Sequence, residues 1–166
     1  RIGNKAAEQF QLDIYGELLD AAYELVRLGV TPDDRQWRFL SNVADQACRR
    51  WQEKDYGIWE VRSEKQHFVH SKLLVYVALD RALRIVDRFG FDADVERWRS
   101  SREAVRRSLL ENGWNEERGA FVQAYGSTAL DAANLHIVLE GFLPPDDPRV
   151  QSTIDRCLEE LTENGM

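Results

Sequence analysis

The sequence predicts an all-α fold built from repeated helical hairpins. Apolar residues recur at helical spacing along most of the chain, and almost nothing alternates in the manner of a strand. Proline-acid pairs and glycines punctuate the apolar stripes at intervals that suit helix starts and stops. A unit of about sixty residues also recurs, as in architectures whose hairpins must cover one another. Helices are expected near residues 6–28, 33–53, 68–89, 93–111, 130–141 and 147–163, which makes three hairpins.

The punctuation assigns the helix ends in order. Gly29 stops the first helix, and Thr31-Pro32-Asp33 opens the second with a proline and a capping acid. Gly90 and Gly113 stand where the third and fourth stop. Gly141 ends the fifth, and Pro144-Pro145-Asp146 leads into the sixth. Helices 6–28, 68–89 and 130–141 are the more apolar set, with "LLVYVALDRAL" and "LHIVLEGFL" apolar on nearly every side, so they belong inside. Charge-rich helices such as "RWRSSREAVRRSLLE" belong outside. Two concentric layers follow, as an open arc or as half of a closed ring.

The repeat is visible when "DDRQWRFLSNVADQACRRWQEKDYGIW", from Asp33, is set beside "DADVERWRSSREAVRRSLLENGWNEERGAF", from Asp92. Each holds an acid cluster, a tryptophan, an amphipathic helix, a second tryptophan, a polar turn, and a glycine before an apolar-aromatic pair. Trp37 answers to Trp98 and Gly57 to Gly119. A third unit begins at "PPDDPRVQSTIDRCLEELTENGM", and the chain is expected to stop within that repeat. With Arg1 rather than Met in first place, a piece of something longer is expected. Its compartment is not legible, the cytoplasm being the default expectation.

Composition narrows the function classes. With 43% hydrophobic and 31% charged residues, the 166-residue chain has the makings of one compact domain with its own core. Twenty-two basic residues against 29 acidic ones leave a net charge of −7. No lysine-arginine run stands apart from acids, so neither nucleic acid nor an anionic membrane is an expected partner. No apolar run is long enough for a membrane span. Cys48 and Cys157 lie within helical patterns without metal-ligand spacing and read as free buried thiols.

The segments that open the inner helices converge at one end, and they are rich in polar and aromatic side chains. They present Gln11, Asp13, Tyr15 and Glu17 in the first, and Trp59, Glu60, Arg62, His67, His70 and Lys72 in the second. The third adds Gln123, Tyr125 and Asp131. Aromatic faces for sugar rings, with acids, amides and bases for hydroxyls, make a carbohydrate site. Residue by residue, plainer readings compete: Glu60 as a solvated loop acid, Asp13 and Asp131 as helix caps, Arg62 as an ion-pair partner, and Tyr15 and Tyr125 as core-edge aromatics. His67 and His70 have a spacing that can serve a metal, but no third ligand accompanies them, and no metal or cofactor is expected.

The stretches "RIGNKAAEQFQLDIYGELLDA", "GIWEVRSEKQHFVHSKLLVYVALDRA", "GWNEERGAFVQAYGS" and "GFLPPDDPRV" resemble bacterial members of glycoside hydrolase family 15, the glucoamylase, glucodextranase and trehalase group. The resemblance covers essentially the whole chain in order. It implies an (α/α)6 barrel of twelve helices in two layers, of which residues 1–166 would be about half, a single partial catalytic domain cut at both ends. It implies an inverting mechanism with two glutamates, and places the general acid at the glutamate of the tryptophan-glutamate pair, here Glu60. Trp59 would raise the proton affinity of that acid by excluding water. Gln11, Asp13 and the segment around Asp131 would lie beside the sugar nearest the cleaved bond, with Trp59, Tyr15, Arg62 and Lys72 as further sugar contacts. Val61 replaces the second acid of the fungal pattern, which shifts sugar binding toward Arg62, and Ser63 and Glu64 stand where glycines would be expected.

The second glutamate, which activates water from about 6.5–9.5 Å away, would belong to a loop late in the barrel, beyond this chain; Glu163 does not qualify. The expected function is therefore that of a fragment of an inverting α-glucoside hydrolase, inactive or nearly so alone. The competing expectation is a noncatalytic helical-repeat module that binds sugar or protein or associates with itself. Half a ring exposes two apolar edges, so self-association is expected in either case.

Overall fold

The computed structural model of the protein describes residues 9–61 and 64–162. Its helices are α1 (Asp13–Arg27), α2 (Asp34–Arg50), α3 (Val69–Phe89), α4 (Val95–Asn112), α5 (His136–Leu139) and α6 (Pro148–Leu161). A two-residue antiparallel pair, β1 (Trp114–Asn115) and β2 (Ala120–Phe121), sets Trp114 opposite Phe121, and a 3-10 turn at Ala132–Leu135 leads into α5. The class is the expected one, all-α helical hairpins in two layers. α1, α3 and α5 form the inner layer; α2, α4 and α6 back them from outside.

Each long helix follows from its local chemistry. The Asp33 carboxylate accepts from the Gln36 amide while the Gln36 side chain accepts from the Asp33 amide, a reciprocal cap that starts α2. Asp94 and Asp147 cap α4 and α6, the latter with Pro148 at the first helical position. α3 runs from Val69 to Phe89 and closes at Gly90, and it is buried on nearly every face, as an inner helix must be. The tryptophans of the repeat meet between the outer helices: Trp37 and Trp98 lie edge to face with ring centroids 6.0 Å apart. The Trp98 indole donates to Asp45 at 2.9 Å, and that of Trp37 to the Asp92 carbonyl at 3.2 Å.

α1 lies closest to α3 at Gly16. A Cβ there would sit 2.4 Å from the Leu74 carbonyl oxygen and 2.6 Å from the Leu74 Cβ. Farther along, Arg81 of α3 pairs with Asp20 of α1 at 2.7 Å and with Glu140 after α5 at 3.1 Å. Beside it, buried Asp80 accepts from Arg84 at 2.6 Å and from Arg102 of α4 at 3.1 Å.

Three helix bounds differ from expectation, and at each of them tertiary hydrogen bonds hold the chain. The first helix begins at Asp13, not near residue 6, whose surroundings lie outside the described residues. Phe10 and Leu12 instead bond to a later loop: the Phe10 carbonyl accepts from the Tyr56 amide, and the Leu12 amide donates to Asp55. The second helix ends at Arg50, where the Glu53 amide turns to the Arg50 carbonyl at 2.8 Å, and the carbonyls of Trp51 and Glu53 beyond it are taken by the Lys72 ammonium. The third inner helix, expected over 130–141, is reduced to the 3-10 turn and the single turn of α5. Asn134 is tied to the carbonyls of Phe121 and Val122, and the amides of Phe142 and Leu143 fold back onto the Ile137 carbonyl. Cys48 and Cys157 are free and buried.

Apolar surface is left open at both edges of the arc. Leu25, Val30 and Phe39 line a groove of about 510 Å³ between α1 and α2. Leu139, Leu158 and Leu161 are exposed at the other edge.

Gly16→Ala is expected to destabilise the fold by about 1–3 kcal/mol or more, because the obstructing atom is backbone and cannot rotate away. Urea unfolding of the variant measures this, and an unchanged midpoint would contradict the close α1–α3 contact.

Candidate active site

The three segments that precede the inner helices are stitched into one surface by backbone and side-chain bonds. Segments 55–56 and 66–68 turn on themselves through an Asp55–Gln66 bridge, and Phe68 bridges to Ala124. The Val69 amide donates to the Gln123 carbonyl, and the Tyr125 amide to that of His67, both at 3.0 Å. Gln11 donates to the Gly57 carbonyl at 3.2 Å. Asp55, with its residue fully buried, accepts the Leu12 amide at 3.0 Å and so supplies from 43 positions away the cap that α1 lacks locally.

Between these anchors residues 56–61 form a tight turn. Gly57 has φ +67 and sits so close to the Phe68 ring that a Cβ would come within 2.8 Å. The Glu60 amide donates to the Gly57 carbonyl at 3.2 Å and the Val61 amide to the Tyr56 carbonyl at 3.1 Å. Glu60 has φ +49, and among the described residues it is the one non-glycine position with positive φ. That conformation costs a residue with a side chain about 1–2 kcal/mol, and such strain concentrates at functional sites. The Glu60 carboxylate is exposed.

Trp59 beside it is 60% exposed, so its ring offers a face rather than a closed wall. Its indole N–H points to Asp131, reaching the two carboxylate oxygens at 2.9 and 3.1 Å. Asp131, itself 7% exposed, also accepts from Gln123 at 3.2 Å and from the Ala133 amide at 2.9 Å.

Gln11, Asp13 and Tyr15 line a neighbouring cleft of about 500 Å³ with Arg50 and Ile58, so Ile58 joins it to the Trp59–Glu60 turn. Burial, and then the neighbouring Asp55 carboxylate, push the Asp13 carboxyl above the ordinary aspartate value. Arg62 lies outside the described residues.

The rim set divides into two groups. Lys72, expected among the sugar contacts, is buried with its ammonium turned to the carbonyls of Trp51 and Glu53. Burial lowers its pKa to about 8 against the opposing pull of Asp55 and Glu53. His67, Lys72 and Tyr125 line a separate cleft of about 280 Å³ with Ser108 and Asn112 of α4. Tyr125 is hydrogen-bonded to Ser108 at 3.1 Å, and burial pushes its phenol up to about 12.

His70 belongs to neither cleft. It is 2% exposed, lies edge-on to His136 with centroids 5.2 Å apart, and among the described residues neither ring nitrogen has a partner. Burial, and then the His136 ring, drop its pKa to about 4 against the attraction of Asp131. Among the described residues no three His, Cys, Asp or Glu side chains are grouped to hold a metal. Sequence reasoning passed over Asp55, an acid in a "DYG" turn that reads as solvated, and His136, whose position within an apolar run hides its pairing with His70.

Chemically, the surface offers an exposed carboxylate on a strained turn and an open indole face, flanked by an amide and an acid. That set suits hydrogen bonding to the hydroxyls of a ligand and stacking on a ring. The model of the glycosyl hydrolases family 15 matches residues 1–166, the whole chain.

The chain belongs to glycosyl hydrolases family 15.

Its relatives in that family include a trehalase of Mycobacterium tuberculosis, 43% identical over 166 residues, all of this chain and 24% of that protein. A trehalase of Mycolicibacterium smegmatis is 42% identical over all of this chain and 25% of its own length. One of Thermoplasma volcanium is 33% identical over 99% of this chain and 26% of its own. The family 15 chain thus spans about a quarter of the length of these trehalases. In fold it is similar to solved glycosidases, one of them in complex with glucose, with TM-score 0.80, 21% identity and coverage of 96% of this chain and 42% of the other. The three hairpins are accordingly about half of an (α/α)6 barrel, as the family resemblance implied.

The depressed His70 pKa has a definite sign. The unfolded imidazole takes up a proton below about 6.5 and the folded one only near 4, so stability is complete above 6.5 and declines as pH falls toward 4. With His136 and Asp131 as the groups facing it, His70→Phe is expected to be less pH-sensitive than the wild type over that window, by about 3 kcal/mol. Denaturant midpoints at pH 7 and pH 4.5 for both proteins measure the difference; parallel curves would contradict a neutral buried His70.

Proposed function

We propose that the chain is the proton-donating part of an inverting α-glucoside hydrolase whose substrate is trehalose. The observation that carries the reading is the Trp59–Glu60 turn: an exposed carboxylate held on a left-handed backbone beside an open indole face. Membership of family 15 and relatives named trehalases support it.

In this reading Glu60 gives its proton to the oxygen that bridges the two glucose units as the C1–O bond breaks. Water adds to the opposite face of C1 and loses its proton to a second carboxylate supplied by the rest of the full-length protein. The bond electrons leave with the oxygen, the departing glucose carries the proton from Glu60, and solvent reprotonates Glu60. Trp59 stacks on a sugar ring, while Gln11, Asp13 and Arg62 bind hydroxyls. The chain alone, lacking the base, turns over little or nothing.

Inversion of trehalose releases one glucose as the β anomer and the other as the α anomer, whereas retention would give α alone. In the full-length protein Glu60→Gln is expected to lower trehalose turnover by about 10²–10⁴ with folding intact. Proton NMR of the first turnovers reads both anomers and rate. Wild-type rates in Glu60→Gln, or hydrolysis of maltose or isomaltose in preference to trehalose, would overturn the acid or the substrate assignment respectively.

We also propose that the isolated chain pairs with a second copy through the α1–α2 groove, where Leu25, Val30 and Phe39 are exposed. Sedimentation should show a dimer or larger species that Phe39→Glu shifts toward monomer. A monomeric wild type would contradict the pairing.

A further inference from the structure

We infer that Asp131 is a positioning residue for the proton donor, acting through the Trp59 indole, rather than a contact to the sugar. The inference rests on the reading of Glu60 as the acid.

Both oxygens of the Asp131 carboxylate are already used within the protein. Oδ1 accepts from the Ala133 amide and the Trp59 indole, at 2.9 and 3.1 Å; Oδ2 accepts from the Trp59 indole at 2.9 Å and from Gln123 at 3.2 Å. A carboxylate has about four acceptor positions, so little capacity is left for a sugar hydroxyl, and the residue is 7% exposed. Asp131 is itself held firmly. Its backbone is extended, it caps the 3-10 turn that follows, and Gln123 is fixed in turn by the Val69 amide at the start of α3.

The consequence lies at the other end of the indole. Trp59 is 60% exposed, so packing does not settle its orientation; a directional bond across 72 sequence positions does. The next residue is Glu60, with its unfavourable φ of +49. Gly57 and Gln11 hold the start of the turn, and the Trp59–Asp131 bond holds its apex. Releasing the indole would let the Trp59–Glu60 peptide relax and swing the carboxylate away from the bridging oxygen. A misplacement of about 1 Å is enough to cost on the order of 10²-fold in rate.

Substrates with and without a need for leaving-group protonation separate this role from a sugar contact. Trehalose needs the proton, whereas α-glucosyl fluoride departs without it and occupies the same sugar site. In the full-length enzyme Asp131→Asn is expected to lower kcat on trehalose by about 10- to 100-fold with KM little changed, and to leave α-glucosyl fluoride hydrolysis within a few-fold of wild type. Trp59→Phe, which keeps a ring but lacks the N–H, should lose trehalose turnover by at least about 10-fold more than α-glucosyl fluoride hydrolysis, whatever change of KM the altered stacking brings to both, and the double variant should show no larger a difference between the two substrates than either single one. If Asp131→Asn does not fold, Trp59→Phe alone carries the comparison. Equal losses on both substrates, or a loss confined to KM, would overturn the inference and make Asp131 a sugar contact or a purely structural group. Glu60→Gln is measured alongside: retention of trehalose turnover there would refute the acid assignment, whereas its loss with fluoride hydrolysis preserved leaves that assignment standing whichever way Asp131 behaves.

Discussion

The close approach of α1 to α3 at Gly16 and Leu74 is the contact on which the rest of the arrangement depends. It brings two inner helices side by side with their N-termini at one level, so the segments that precede them meet. α3 is the element all others cover, and residues such as Leu73, Leu79 and Ile85 are wholly buried along it. Burying each such side chain is worth about 1.5–3 kcal/mol, which makes α3 the energetic centre of the arc. The polar work is then divided between its start and its middle. At the start of α3, Asp55, Gln123 and Asp131 fasten loops to one another; at its middle, Asp80 and Arg81 bind α1, α4 and the segment after α5.

These polar clusters differ in what they can stabilise. Asp80 and Arg81 are mostly buried and mutually satisfied, and removing one partner would leave a charge without compensation. The rim cluster instead holds backbone in a conformation it would not choose. The left-handed backbone of Glu60 lies in a turn fastened at Gly57, wedged against Phe68, and at Trp59, bonded to buried Asp131.

Much of this was legible in the sequence, and what was not had a common cause. The capping acid Asp33 and the stop at Gly90 follow from local spacing, whereas the last helix is capped by Asp147, one position after the Asp146 that the proline-acid signal singles out, and the contact between the repeat-related Trp37 and Trp98 is seen only in the structure. The repeat put the Trp59–Glu60 turn before an inner helix and thereby at the rim. The late start of α1, the shortened third inner helix and the inward turn of Lys72 are set by partners 43, 12 to 13 and 19 to 21 positions away. No helical or strand period reports a bond of that kind. Asp131 is the clearest example: its spacing marks a cap, which it is, but the indole it holds comes from another hairpin.

The most direct measurement is the structure of the full-length protein bound to a trehalose analogue with sulfur as the bridging atom. A Glu60 carboxylate oxygen is predicted at hydrogen-bond range of the bridge, about 3 Å away, with the Trp59 indole still on Asp131. A bridge atom facing a different carboxylate, with Glu60 turned to solvent, would contradict the assignment of this turn as the proton donor.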